Sequence, residues 1–173
     1  EECLTERTKA VLAVHLYGQA ANMDKITAFC KEHDLRLVED CAQSHGACFN
    51  GQMTGTFGDI GCFSFYPSKN LGGFGDGGAI VTEDAQIAED MKMYRNYGSK
   101  VRYYNDVVGA NSRLDELQAG LLRVRLKHLD ELNEERMQIA DRYSAEITNP
   151  KLILPKAQEN ALCVWHQYVI RCE

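Results

Sequence analysis

A carboxylate, a hydroxyl and a lysine stand where an open α/β sheet would bring them together. Asp40 closes one candidate strand, Ser64 ends another, and Lys69 follows it in a glycine-rich loop. Open α/β sheets seat ligands outside the carboxyl ends of their strands, so side chains at such ends can share one pocket. A lysine there can form a Schiff base with a carbonyl, and a carboxylate facing a pyridine nitrogen keeps that nitrogen protonated and makes the ring an electron sink. Charged side chains mostly sit in solvent, so a plain surface lysine is the competing reading of Lys69.

Other groupings carry less chemistry. Gly73, Gly75 and Gly78 match GxGxxG. That fingerprint should follow a strand and open a helix, whereas this run follows a polar loop and enters the apolar segment GAIVT. A nicotinamide-dependent oxidoreductase is therefore the weaker reading, and tight turns with positive φ are the plainer use of these glycines. Lys69 precedes them and no Lys-Ser or Lys-Thr pair follows, which excludes a Walker-type phosphate loop. Cys41, His45 and Cys48 could bring three soft ligands onto one loop, but no fourth accompanies them. Small buried thiols beside a polar loop are the alternative, and no metal is expected.

The elements that would position these residues follow from hydrophobic periodicity. Residues 11–16 read as a buried strand, Asn22 or Asp24 starts a helix over Met23–His33 with Ile26, Phe29 and Cys30 on one face, and residues 35–38 read as a second strand. Strand, helix, strand implies a right-handed crossover and a parallel pair. Residues 60–65 and 78–82 supply further strands, separated from the second by a glycine-punctuated loop over 46–58. Thr82 or Asp84 caps a helix to about Asn96, with Gly98 just past its end. Ser112 and Asp115 resemble a capping box, and the helix after them is expected to reach about Ile147 with Leu114, Leu117, Leu121, Val124, His128 and Leu132 facing inward. Pro150 and Pro155 bracket a linker, and residues 164–172 read as the first strand of a new unit. Residues 1–150 thus form a large domain, and 151–173 a linker and the start of a small one.

Composition bounds the class. Of 173 residues, 45% are hydrophobic, 25% charged and 3 are proline, the balance of a folded globular domain. A net charge of −6 excludes a generally basic nucleic-acid binder. No stretch approaches the roughly 20 apolar residues of a membrane helix, and the first residues lack an apolar signal core. Seven cysteines, an odd number at irregular spacing, suit reduced thiols, so a cytoplasmic protein is expected. The start without methionine and the stop at a new strand suggest a middle segment of a longer chain.

The segments VHLYGQAANMD, VEDCAQSHGA, GCFSFYPSKNLGGFGDGGAIVT and VGANSRLDELQAGLLRVRLKHLD resemble the DegT/DnrJ/EryC1/StrS family of pyridoxal-phosphate-dependent nucleotide-sugar aminotransferases. The resemblance covers residues 11–171, with its motifs in the family's order. It implies a fold-type I, aspartate-aminotransferase-like large domain with a mainly parallel sheet. It makes Lys69 the lysine that binds pyridoxal phosphate and shuttles the proton, and Asp40 the partner of the pyridinium nitrogen. Gln43 packs on the cofactor ring, Ser64 bonds the phosphate, Asn111 reaches the phosphate from the other subunit of a homodimer, and His166 lies on the substrate side. Taken singly, Asp40 and Gln43 could be a loop cap, Ser64 a strand-end hydroxyl, Asn111 a helix-start residue and His166 a core histidine.

Lysine rather than histidine at position 69 favours transamination over the family's sugar 3-dehydration. The implied reaction moves an amino group from L-glutamate, or glutamine, to a nucleotide-linked keto-deoxysugar, a dTDP-3-keto-6-deoxyhexose by its nearest resemblance. A 4-keto-sugar aminotransferase and a non-catalytic binding module are the alternatives. Family members also carry an N-terminal phosphate-binding loop that has no counterpart in this sequence.

Overall fold

The computed structural model describes residues 2–172. β1 (Ala10–Val14) leads through a 3-10 turn at Leu16–Gly18 into α1 (Met23–Glu32), and β2 (Arg36–Asp40) returns parallel to β1 with Val14 opposite Asp40. Asn22 caps α1, its side chain accepting from the Lys25 N–H at 3.2 Å, which contributes about 1 kcal/mol. Within the segment expected as an irregular loop, β3 (Cys48–Phe49) and β4 (Gln52–Met53) form a small hairpin. β5 (Ile60–Ser64) then joins β2 in parallel, and β6 (Gly78–Val81) runs antiparallel to β5. The sheet order is β1-β2-β5-β6, an α/β fold with a mainly parallel centre, as the sequence implied.

After the sheet come α2 (Ala85–Tyr94), the hairpin of β7 (Ser99–Val101) and β8 (Tyr104–Asn105), and helices α3 (Glu116–Leu126) and α4 (Leu129–Glu146). Asp84 caps α2, accepting from the N–H groups of Gln86 at 2.7 Å and Ile87 at 3.1 Å. The short strands β9 (Leu152–Ile153), β10 (Ala161–Leu162) and β11 (Arg171–Cys172) follow. β10 pairs with β3 and β11 with β9.

One face of the sheet is packed. Ala13, Leu37 and α1 residues Met23 and Cys30 form a core with Ala20 and Phe49, and burying a side chain the size of Met23 stabilises by about 1.5–3 kcal/mol. A second cluster joins Leu71, Leu122 and Leu129. The opposite sheet face leaves Leu12, Val14 and Ile80 exposed.

Four expectations are corrected. The single helix to Ile147 breaks between Leu126 and Leu129, where Lys127 and His128 donate to the carbonyls of Val124 and Arg125 three residues back. Neither proline nor glycine marks that break, so no local signal reveals it. The inward stripe is accordingly different: Leu117 is 78% exposed and Val124 60%, while Leu122, Leu129, Asn133 and Ala140 are buried. The capping box does not form, because the helix starts at Glu116, Asp115 makes no side-chain cap bond, and the Ser112 N–H is bonded to the Arg95 carbonyl. Residues 164–170 are not a strand; only Arg171–Cys172 pairs.

Candidate active site

Strand register performs the first step of assembly. Asp40 lies opposite Cys62 across the β2–β5 pair. Side chains alternate along a strand, so Cys62 and Ser64 share Asp40's face, away from buried Leu37 and Glu39. Asp40 is half-buried and its Oδ1 accepts from the Ala42 N–H at 3.0 Å, which is the loop-cap role. Its second carboxylate oxygen makes no hydrogen bond among the described residues. Ser64 Oγ accepts from the Tyr66 N–H at 3.3 Å.

Lys69 follows in the β5–β6 loop, its N–H bonded to the Tyr66 carbonyl at 2.9 Å. The side chain is half-buried and makes no hydrogen bond or ion pair among the described residues. The glycines beyond it do not have the positive φ expected of them. Close neighbours hold them small: a Cβ on Gly78 would lie 2.6 Å from the Phe63 carbonyl oxygen, and one on Gly73 3.0 Å from the Gln118 side chain. Gln118 of α3 also accepts from the Phe74 N–H at 2.8 Å. The run leads into the antiparallel strand β6 and opens no helix, so it builds no dinucleotide site.

Two further segments close around these strand ends. Gln43 Oε1 accepts from the Tyr17 N–H at 2.6 Å, tying the loop after β2 to the loop after β1 and leaving the Gln43 amino group uncommitted. The C-terminal segment crosses at Gly18, where the Val164 N–H meets the Gly18 carbonyl at 2.9 Å and the Gln167 N–H meets Tyr17 at 3.3 Å. That crossing delivers His166, whose Nδ1 lies 2.9 Å from Asn70 Oδ1. Burial, with the charges of Lys69 and Arg136, lowers the His166 pKa, so the ring is neutral near pH 7. Asn111 stands on the exposed segment after β8, bridged to Asn96 and accepting from Arg113 Nε at 3.2 Å. It makes no bond to the other candidates.

His45 belongs with this group and was not singled out for it. It is 3% exposed, packs 5.4 Å from the Phe63 ring, and neither ring nitrogen has a partner among the described residues. Its pKa falls from 6.5 to about 4, first through burial and then through His166 and Lys69; the Ser64 backbone opposes the shift without reaching a hydrogen bond. Its position two residues after Gln43 was the available signal.

The soft-ligand grouping of Cys41, His45 and Cys48 does not converge. Among the described residues the close set is His15, Glu39 and Cys41, with ligand atoms within 4.8 Å of one another. Those atoms are already engaged. His15 Nδ1 accepts from the Ala21 N–H at 3.0 Å, so Nε2 carries the proton it donates to Glu39 at 2.9 Å. Glu39 also accepts from Gly55, Phe57 and Gly58, and burial beside Glu39 pushes the Cys41 thiol up to about 12. This is a buried structural network.

A half-buried lysine without a partner among the described residues, a carboxylate with one open oxygen and a strand-end hydroxyl make a donor set suited to a carbonyl-bearing, phosphorylated, nitrogen-containing ring. The family model for DegT/DnrJ/EryC1/StrS aminotransferases matches residues 1–173. The chain belongs to the DegT/DnrJ/EryC1/StrS aminotransferase family. Within that family it is 48% identical, over its whole length, to the erythromycin biosynthesis sensory transduction protein EryC1 of Saccharopolyspora erythraea, and covers 48% of that protein. It is 47% identical to the dTDP-3-amino-3,4,6-trideoxy-alpha-D-glucose transaminase of Streptomyces venezuelae, covering all of this chain and 46% of the relative. The crystal structure of Streptomyces venezuelae DesV with a ketimine intermediate superposes with a TM-score of 0.96 at 46% identity, over 99% of this chain and 47% of that one. Bacillus subtilis NtdA with bound cofactor PMP gives a TM-score of 0.89 at 34% identity, over 99% of this chain and 40% of that one. The chain spans about half the length of the curated family members it matches.

Proposed function

We propose that the protein carrying this chain is a pyridoxal-phosphate-dependent aminotransferase that moves an amino group from L-glutamate to the keto group of a nucleotide-linked deoxysugar. A dTDP-3-keto-6-deoxyhexose is the substrate in this reading, and deoxyamino-sugar biosynthesis its setting. The observation that carries it is the register: Asp40 and Ser64 share one face at one sheet end, with Lys69 next in the chain. The fit is supported by groups left unbonded there among the described residues, the Lys69 amine, one Asp40 oxygen and the Gln43 amino group.

Pyridoxal phosphate, when bound, supplies an electron sink for the carbanion next to the migrating amine. The chain's own residues supply the rest. Lys69 would hold the group covalently through its amine and, once released, would serve as the acid/base at the reacting carbon. Asp40 would keep the ring nitrogen protonated, because an adjacent carboxylate favours the cationic form. Gln43 would pack on the ring, the Ser64 hydroxyl would donate to the phosphate, and His166 would face the substrate. Exposed Asn111, which reaches none of these within one chain, acts across a homodimer in a shared site. Residues 1–150 form the cofactor-binding domain, and 151–173 lead into a smaller one. The cytoplasm is the setting that seven free cysteines favour.

The test is the visible absorption spectrum of the intact protein with pyridoxal phosphate, before and after L-glutamate. A yellow band that bleaches supports cofactor, reaction class and donor together. Absence of the band refutes the assignment of Lys69. A band that ignores glutamate favours another amino donor or a non-catalytic binding module.

A further inference from the structure

Two buried polar side chains that the proposed chemistry does not use, Asn70 and Asn133, are joined in a row. Asn133 Nδ2 donates to the His45 carbonyl at 2.8 Å, Asn133 Oδ1 accepts from Asn70 Nδ2 at 2.8 Å, and Asn70 Nδ2 also reaches the Val164 carbonyl at 3.1 Å. Asn70 and Asn133 are each 4% exposed. The row links four elements: the loop after β2, the lysine loop, α4 and the C-terminal segment. Its room is made by Gly46 at φ +86, where a Cβ would fall 2.8 Å from Asn133 Nδ2.

The direction of every bond in the row is determined by its ends. Backbone carbonyls only accept, so the Asn133 atom at His45 must be nitrogen and its oxygen must face Asn70. The Asn70 atom at Val164 must be nitrogen as well, and the two ends agree. Asn70 Oδ1 is therefore the atom facing His166, and it can only accept. A neutral His166 must carry its proton on Nδ1, which leaves Nε2 as a bare acceptor. Nε2 makes no hydrogen bond among the described residues. The charges around the ring favour the neutral form: Lys69 from the neighbouring loop and Arg136 from α4 oppose protonation, and neutral His45 adds no countercharge.

We propose that Asn70 and Asn133 are positioning residues that hold His166 in the Nδ1–H form, so that Nε2 accepts a hydrogen bond from a hydroxyl of the sugar. This rests on the function proposed above and adds a substrate group to it: His166 recognises a donor, not a carboxylate or phosphate. An imidazolium or the Nε2–H form would do the reverse.

The experiment is long-range proton–nitrogen correlation on the intact protein labelled with nitrogen-15 histidine, at neutral pH, with the His166→Gln variant assigning the signal. The expected pattern is protonated Nδ1 and unprotonated Nε2; the Nε2–H form or an imidazolium overturns the proposal with no variant needed. In Asn70→Ala the proton is expected to move to Nε2, and KM for the keto-sugar to rise about tenfold, the loss of one hydrogen bond, with less change in kcat. Asn70→Asp keeps an acceptor at Nδ1 and should retain the Nδ1–H form while moving the His166 titration to higher pH. An unchanged His166 signal in Asn70→Ala also overturns it. The two readings separate: a missing cofactor band with Nδ1–H in place refutes the function alone, and a bleaching band with Nε2–H refutes this inference alone.

Discussion

Glu39 and Asp40 are consecutive on β2 and face opposite sides of the sheet, one carboxylate fully engaged and the other half open. Glu39 has no exposed surface and accepts four hydrogen bonds, from His15 Nε2 and the N–H groups of Gly55, Phe57 and Gly58. Asp40 is half-buried and accepts one. Strand alternation alone thus separates a structural carboxylate from one available for chemistry.

Replacing Glu39 with alanine strands four donors, those of His15 and Gly55 fully buried and those of Phe57 and Gly58 half-buried. The expected loss is about 3 kcal/mol or more, read as a fall in denaturant midpoint; an unchanged midpoint contradicts the role. Burial alone would raise the Glu39 pKa, but the bonds from His15, Gly55, Gly58 and Phe57 outweigh it and hold the carboxyl below 4.5. A depressed folded-state pKa gives stability that is complete above the unfolded value and lost as pH falls through the folded one. The wild type should therefore lose stability below about pH 4.5 more steeply than Glu39→Ala does.

Lys69→Arg keeps a cation in the loop but removes the amine that forms a Schiff base. The intact variant is expected to stay folded, by circular dichroism, and to show no yellow band with pyridoxal phosphate. Asp40→Asn keeps shape and removes charge, so cofactor should still bind while turnover falls on the order of 10²-fold. A wild-type rate in Asp40→Asn defeats the electron-sink argument.

What was legible in the sequence was whatever local rules decide. Alternation and helical spacing revealed β1, α1, β2 and β5, and with them Asp40, Ser64 and Lys69 at strand ends, because a parallel crossover leaves few arrangements. The break at Lys127–His128 was not legible, since the residues there are acceptable helix formers. Its consequence was a wrong inward face that hid Asn133, a polar residue buried among Leu122, Leu129 and Ala140. Asn70 and His45 escaped for a related reason: their neighbours come from segments 63 and 88 residues away, beyond any spacing rule. The glycines after Lys69 were read as positive-φ turns, whereas close packing accounts for them, against the Phe63 backbone at Gly78 and the Gln118 side chain at Gly73 and Gly75.

His45 should make the protein acid-sensitive. Buried and unpartnered, it takes up its proton only near pH 4 in the folded state but near 6.5 when unfolded. Stability is therefore full above pH 6.5 and declines as pH falls toward 4, by about 3 kcal/mol over that window. His45→Phe, placed beside Phe63 and Phe65, removes both orphaned nitrogens and the titration. The variant is expected to be more stable at pH 5 and flatter between pH 4 and 6.5, by denaturant midpoints. An identical pH dependence in wild type and variant rules out His45 as the origin.

Gly18 is where the C-terminal segment is fastened to the strand ends. Its φ is +94, and a Cβ there would lie 2.7 Å from the His166 nitrogen and 2.9 Å from that of Trp165. Both are backbone atoms, so no rotamer change relieves the contact. Gly18→Ala therefore combines the strain of a left-handed alanine, about 1 kcal/mol, with displacement of residues 164–167, which are bonded to Tyr17 and Gly18. Cofactor binding rests on Lys69, Asp40 and Ser64 from other segments, so the yellow band should survive at reduced thermal stability. Sugar binding should weaken, because His166 moves with the displaced segment. If KM for the keto-sugar stays at the wild-type value while the melting temperature falls, the crossing at Gly18 supports the fold but does not place His166 for substrate.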